Sequence, residues 1–276
     1  MDGGPLVVQL VVNVADAELA ADALWQAGPS AVLEVDLGDG RVRLTADVAD
    51  PARVDGRWSP TVLQVHDDGY LDAWRTWATP VRAGRHLVLR PAWIAEDAAG
   101  AGPDDLVVVL DPGRSFGSGS HESTRLALAL LEDVVEPGAR VLDVGCGSGV
   151  LAVAVALLGA VEVTAIDVEA GAIPSTRENA ARNGVADRVG ASTTSLAALP
   201  VAPGWDVVVA NIGGGLLPTL APDLGRRTAE EGHLVMSGVL EHQLPALLDA
   251  LGPGWVVDGR VAEAGWVGAR LRRVSR

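Results

Sequence analysis

Apolar positions along the chain change period repeatedly, and the changes lay out its elements. Residues 6–14 (LVVQLVVNV) read as a strand and 16–28 (DAELAADALWQAG) as a helix closed by Gly28. AVLEVDLGDGRVRLTADV predicts two strands about a turn at Gly38-Asp39-Gly40, and residues 61–65 a further strand. This βαββ start fits a small α+β domain of ferredoxin-like type, reduced because residues 49–60, with two prolines and a glycine, offer no clear second helix. DGYLDAWRTW (68–77) predicts a short helix, and VRAGRHLVLRPAWI predicts strands about Gly84.

From residue 106 onward, short β-branched runs alternate with helical segments. Strands are expected at 106–110, in the short run from Arg140 to the acid before the glycine turn, in VEVTAID (161–167), and at 189–193, 205–210 and 233–237, with two more at 255–259 and 266–273. Helices are expected at about 121–135 with Ser120 as N-cap, then at 150–161, 171–183, 215–227 and 241–251. Such alternation gives an α/β fold, a doubly wound and mainly parallel sheet. The domains are expected at 1–66 (small α+β), 67–103 (linker helix and strands) and 104–276 (ligand-binding and catalytic).

The chemistry concentrates between Arg140 and Asp167. RVLDVGCGSG ends an apolar strand in a glycine-rich turn, and VEVTAID ends the next strand in an acid. Gly145, Gly147 and Gly149 leave no side chain where strand becomes helix, so a ligand can approach the backbone and the helix amino end. Asp167 stands where a carboxylate can accept hydrogen bonds from a ribose diol. The dinucleotide fingerprint would need glycine at position 150, which is Val150. Asp143 would repel a pyrophosphate but attract a cationic ligand through a water or amide. A sulfonium nucleoside suits the unit better than NAD. Gly113-Arg114-Ser115-Phe116-Gly117 fits a serine nucleophile pattern, yet glycine rather than a helix follows the serine, which argues against a hydrolase.

Composition narrows the partners. The 276 residues are 49% hydrophobic, and the longest helical apolar stretch is too short to span a bilayer. With no basic leader after Asp2, a soluble cytoplasmic protein is expected. The single cysteine, Cys146, excludes an internal disulfide and a thiolate metal cluster, and no metal is expected. All 21 basic residues are arginine, and the net charge of −15 argues against direct nucleic-acid binding while favouring a basic partner, or simply keeping the protein in solution. Trp74, Trp77 and Trp93 fall together, as packing at a domain junction or as a substrate-facing surface.

DVGCGSG with Asp167 resembles motif I and the acidic loop of class I S-adenosylmethionine-dependent methyltransferases. FGSGSHEST (116–124), RENAARNGV (177–185) and DVVVANI (206–212) are similar in order and spacing to signature stretches of the ribosomal protein L-eleven methyltransferases (PrmA). DAWRTWATPVRAGRHLVLRPAW (72–93) resembles the segment joining that family's substrate-recognition and catalytic domains. The resemblance implies a seven-stranded Rossmann-like methyltransferase sheet, S-adenosyl-L-methionine as cofactor, and methylation of lysine or amino-terminal amines of a large-subunit ribosomal protein. Another protein or a small molecule is the alternative acceptor, while a nicotinamide-dependent dehydrogenase and a nucleoside-binding protein without catalysis are readings of a different class. It places the cofactor against Thr124, Gly145, Asp167 and Asn211, with Asp143, Gly147 and Gly149 completing the set read from the loop. Asn211 would bind cofactor or orient the acceptor amine as the catalytic residue. The family's NILAG is NIGGG here (211–215), Glu122 stands for a proline, and Ser192 or Thr193 would serve in place of an acid near the adenine amine.

Overall fold

In the computed structural model, which describes residues 6–27, 32–48, 50–54, 57–64, 78–111, 119–213 and 215–274, the chain divides into two units, Met1–Ala78 and Thr79–Arg276. Alternation along the strands builds the smaller one. β1 (Leu6–Asn13) pairs antiparallel with β3 (Arg41–Asp47) on one side and β4 (Thr61–Gln64) on the other. β2 (Val32–Asp36) pairs with β3, giving the order β2-β3-β1-β4 of a ferredoxin-like sheet. Every second residue of β1 and β3 (Val8, Leu10, Val12; Val42, Leu44, Ala46) packs with Ala20 and Leu24 of α1 (Ala17–Gln26). Between β3 and β4 the described residues hold only the 3-10 turn Pro51–Arg53, whose first N–H groups are capped by Asp50. Proline and glycine deny this stretch a second helix, and Val62, paired with the buried Val8, stays 46% exposed. The expected helix at 68–77, with Trp74 and Trp77, lies outside the described residues, as do Gly28 and residues 113–117.

The larger unit begins at Thr79 and so takes in residues 79–103 of the expected linker. β5 (Val81–Ala83), β6 (Leu87–Pro91) and β7 (Leu106–Leu110) form their own three-stranded sheet, with β5 turning antiparallel into β6 at Gly84 and β6 parallel to β7. The reason is burial: Ala83, Leu87, Leu89, Val108 and Leu110 join the main core of this unit.

Seven strands make the principal sheet: β8 (Arg140–Val144), β9 (Glu162–Ile166), β10 (Val189–Ser192), β11 (Trp205–Asn211), β12 (Thr228–Leu240), β13 (Trp255–Glu263) and β14 (Trp266–Arg273). Their order is β10-β9-β8-β11-β12-β14-β13, parallel except for β14, which runs antiparallel to both neighbours. Period-two burial sends Val141, Val207 and Val209 into one core and Leu142, Val208 and Ala210 into the other, so both faces are covered. The first face carries α2 (Glu122–Leu131), α3 (Val150–Leu157) and α4 (Ala172–Arg182); the second carries α5 (Leu217–Arg227) and α6 (Leu244–Leu251). α3 is buried at every position from Val150 to Ala156 because it lies between the principal sheet and β7. β8 leads left to β9 and β11 lies to its right, so the strand order reverses between β8 and β11. That reversal opens a crevice at their carboxyl ends.

Two helix starts differ from expectation. His121, not Ser120, caps α2, its Nδ1 accepting the Ser123 N–H at 3.2 Å. α5 continues through Pro222, because Leu217, Ala221 and Leu224 are fully buried and hold the helix against the sheet.

Candidate functional site

The glycine turn after β8 is shaped by its neighbours' atoms. Gly149 has φ +81°, and a Cβ there would fall 2.8–3.0 Å from Cγ2, Cα and Cβ of Thr176, so only glycine fits. Gly145, at φ +78°, would place a Cβ 3.1 Å from Cγ1 of Ile212, just past β11 on the far side of the crevice. The main chain of the turn is pinned on both sides. Gly145 and Cys146 donate to the Ile166 carbonyl at the end of β9, at 2.8 and 3.1 Å, and the Thr176 hydroxyl donates to the Gly147 carbonyl at 3.1 Å.

Asp167 locks the turn to the next strand. Its Oδ2 accepts the Gly147 N–H at 2.8 Å and its Oδ1 accepts the Glu169 N–H at 2.9 Å. A carboxylate has roughly four acceptor sites, so the side chain retains capacity for a diol beside the bare turn. Val168, next in the chain, is 90% exposed, an apolar side chain held in water beside that carboxylate. Such an uncovered flank suits the face of a purine. At the end of β10, the Ser192 hydroxyl is engaged with Thr194 Oγ1 at 3.0 Å.

Across the crevice, α2 presents its amino end. Thr124, 1% exposed, accepts a hydrogen bond at Oγ1 from Nδ2 of Asn211 at 3.2 Å, joining α2 to the tip of β11. Ser237 of β12 holds the same turn, its hydroxyl donating to the Ser123 carbonyl at 2.8 Å. With Nδ2 given to Thr124, the Asn211 amide keeps its oxygen as an acceptor, beside Gly238, where a Cβ would fall 3.0 Å from it. The first-turn N–H groups of Ser123 and Thr124 are taken by His121, at its Nδ1 and its carbonyl, so what this end offers a carboxylate is the positive end of the helix dipole. His121 stacks edge-on to Trp266 at 4.8 Å between centroids, and burial holds its pKa below the usual value, so the cap stays neutral near pH 7. Glu122, which replaces the family's proline, stands 3.5 Å from Arg125, whose guanidinium also meets Glu263 at 2.6 Å.

Asp143 has a different environment from the other expected site residues. Asp143 has no exposed surface and lies beneath the turn rather than facing the crevice, because β8 points it into the sheet's packed interior. Its Oδ2 accepts the Ala152 N–H of α3 at 3.1 Å, while Oδ1 has no partner among the described residues. Burial, with the Asp167 charge nearby, pushes its pKa up to about 7. The same burial, aided by the Asp143 charge, pushes the Cys146 thiol up to about 12, so it is no nucleophile.

Gly145, Gly147, Gly149, Asp167, Thr124 and Asn211 thus meet around one crevice, and Asp143 supports it from below. Thr176, Ser237 and Val168 carry no motif signal. Their contribution is legible only once α4, β12 and the β9 loop are placed in space. Asn179 and Asn183 lay inside a recognised stretch without a role.

Comparison with known proteins agrees with this geometry. Residues 10–274 match the family described as ribosomal protein L11 methyltransferase (PrmA). A curated ribosomal protein L11 methyltransferase of Symbiobacterium thermophilum is 38% identical over 237 residues, covering 85% of this chain and 73% of that protein. The one of Geobacter sulfurreducens is 42% identical over 194 residues, 70% of this chain and 62% of its own length. The chain therefore spans roughly two thirds of the length of these relatives. A crystal structure of ribosomal protein L11 methylase from Lactobacillus delbrueckii subsp. bulgaricus superposes with TM-score 0.64 at 36% identity, over 72% of this chain and all of that one. The chain belongs to the ribosomal protein L11 methyltransferase (PrmA) family.

Proposed function

We propose that the protein is an S-adenosylmethionine-dependent N-methyltransferase whose acceptors are lysine side chains or the amino terminus of a ribosomal protein, ribosomal protein L11 foremost. The observation that carries the reading is the Asp167 carboxylate beside the bare glycine turn, facing the Asn211–Thr124 pair across the strand reversal. Asp167 would hold the ribose hydroxyls, Val168 would flank the base, and the amino end of α2 with Thr124 would receive the methionine carboxylate. The unpartnered Oδ1 of Asp143 would add negative potential beneath a cationic ligand. The cofactor supplies an already activated methyl group, so the chain's own residues need only bind, orient and exclude water.

An amine must be neutral to react, which for a lysine of pKa near 10.4 costs about 4–5 kcal/mol at pH 7. Desolvation in the crevice lowers that cost. The Asn211 oxygen accepts one amine hydrogen and so directs the lone pair, and no side chain is assigned as a general base. The net charge of −15 favours encounter with a basic ribosomal protein.

Gly213 and Gly215 have nothing within 4 Å of a would-be Cβ, which leaves the wall beside Asn211 open and favours a second reading, a different or bulkier acceptor. One experiment separates the two. Purified protein is incubated with methyl-labelled cofactor, ribosomal protein L11 and a ribosome-free extract. Label in L11 supports the proposal, and label elsewhere with none in L11 supports the second reading.

A further inference from the structure

β7 is an edge strand of its three-stranded sheet, and its outer edge is met by the side chains of α4. Asn183 Oδ1 accepts the Val109 N–H at 2.8 Å, and its Nδ2 donates to the Val109 carbonyl at 2.7 Å. Asn179 repeats the pattern one helical turn earlier: Oδ1 accepts the Asp111 N–H and Nδ2 donates to the Asp111 carbonyl, both at 2.9 Å. The register is matched. Four helical residues rise about 6 Å, and two strand residues advance about 6.6 Å. Two amide side chains therefore do for β7 what a neighbouring strand would do.

Asn179 makes two side-chain bonds that Asn183 does not, one of them at Oδ1, which also accepts from Arg182 Nη1 at 2.6 Å. Its Nδ2 also donates at 2.9 Å to the carbonyl of Ser148, inside the glycine turn, and the side chain is wholly buried. The other hydrogen-bonding residue of that stripe, Thr176, holds Gly147. A single amide thus ties the glycine turn to Asp111 at the end of β7.

We infer that Asn179 is a positioning residue for cofactor binding, setting the glycine turn relative to the end of β7, whereas Asn183 only closes the edge of β7. This rests on the reading of the crevice as a cofactor site. Asn179→Ala and Asn183→Ala both remove a two-point contact with β7, but only the first releases Ser148, so the pair separates positioning from strand-edge support.

The test is calorimetry with S-adenosylhomocysteine, alongside thermal midpoints, on the full chain and both variants. Both midpoints are expected to fall. Affinity is expected to drop about tenfold for Asn179→Ala, the scale of one lost buried hydrogen bond, and to stay within about twofold for Asn183→Ala. Equal losses of affinity would overturn the inference and leave the cofactor reading standing. No binding by the unsubstituted protein would instead overturn that reading. Asn179→Ser, which retains a small hydroxyl, takes the place of a misfolded Asn179→Ala. Failure of both to fold while Asn183→Ala folds would assign Asn179 to the core alone, which also overturns the inference.

Discussion

The buried carboxyl of Asp143 gives a prediction whose sign and size follow from its surroundings. Its pKa is 3.8 in a solvated chain and about 7 in the fold, where it has no exposed surface and one unpartnered oxygen. Between those values the native state binds more protons than the unfolded state, so stability falls as pH rises from about 4 to about 7 and is level above that. At about 1.4 kcal/mol per pKa unit, the ionised carboxyl destabilises the fold by up to about 4 kcal/mol at pH 8. Asp143→Asn keeps a carbonyl oxygen for the Ala152 N–H and removes the charge. The two proteins should therefore match in stability near pH 3.5, and the variant should gain steadily until it leads by up to about 4 kcal/mol at pH 8. Urea midpoints measured across this range read the difference directly, and His121 and His233, whose pKa values are lowered in both proteins, cancel from it. Parallel stability curves for the two proteins would refute the assignment of a raised pKa to Asp143.

Three further substitutions probe the crevice. Gly149→Ala sets a Cβ against the Thr176 backbone at a positive φ, and should cost about 3–5 kcal/mol of stability by urea unfolding; a loss below about 1 kcal/mol would mean the turn is not constrained as described. Asn211→Ala leaves Thr124 in place but removes the oxygen offered to the amine, so kcat should fall about 10- to 100-fold with a smaller change in KM for the cofactor; an unchanged kcat would remove Asn211 from the chemistry. Ser237→Ala removes the second bond to the Ser123 carbonyl, which as a helix residue also accepts within α2, and should lower stability by about 0.5–1.5 kcal/mol in thermal or urea unfolding; a variant as stable as the parent would show that this bond does not hold α2.

What was legible in the sequence followed from local pattern. β7, β8, β9 and β11 were readable because each is a short run of β-branched residues ended by an acid, an asparagine or a glycine turn. The glycine turn, Asp167 and Asn211 could be named as one site because strand ends in a doubly wound sheet converge on the reversal of strand order, and Thr124, on a helix, joined them only through the family resemblance. Long-range packing supplied the rest. β12 runs from Thr228 to Leu240, well beyond the apolar stretch 233–237, because pairing with β11 and β14 extends it past Glu230 and Glu231. Residues 79–103 read as linker since their apolar faces find a partner only in α2 and α3, which come later in the chain. The burial of Asp143 was not legible for a related reason: spacing puts it near the loop, but only the pleat of β8 decides whether its side chain faces the crevice or the core. Asn179 and Thr176 do their work through main-chain atoms of other segments, and no spacing within α4 announces that.

The account stands on Asp167 holding the sugar of a sulfonium nucleoside at the glycine turn. Calorimetry of the unsubstituted protein and of Asp167→Ala, with S-adenosylhomocysteine and with NAD, tests this most directly. The expected result is binding of S-adenosylhomocysteine at one site, a loss of at least about 100-fold in the variant from two charge-assisted hydrogen bonds, and no binding of NAD. Undiminished binding by Asp167→Ala, or NAD taken up in preference, would contradict it.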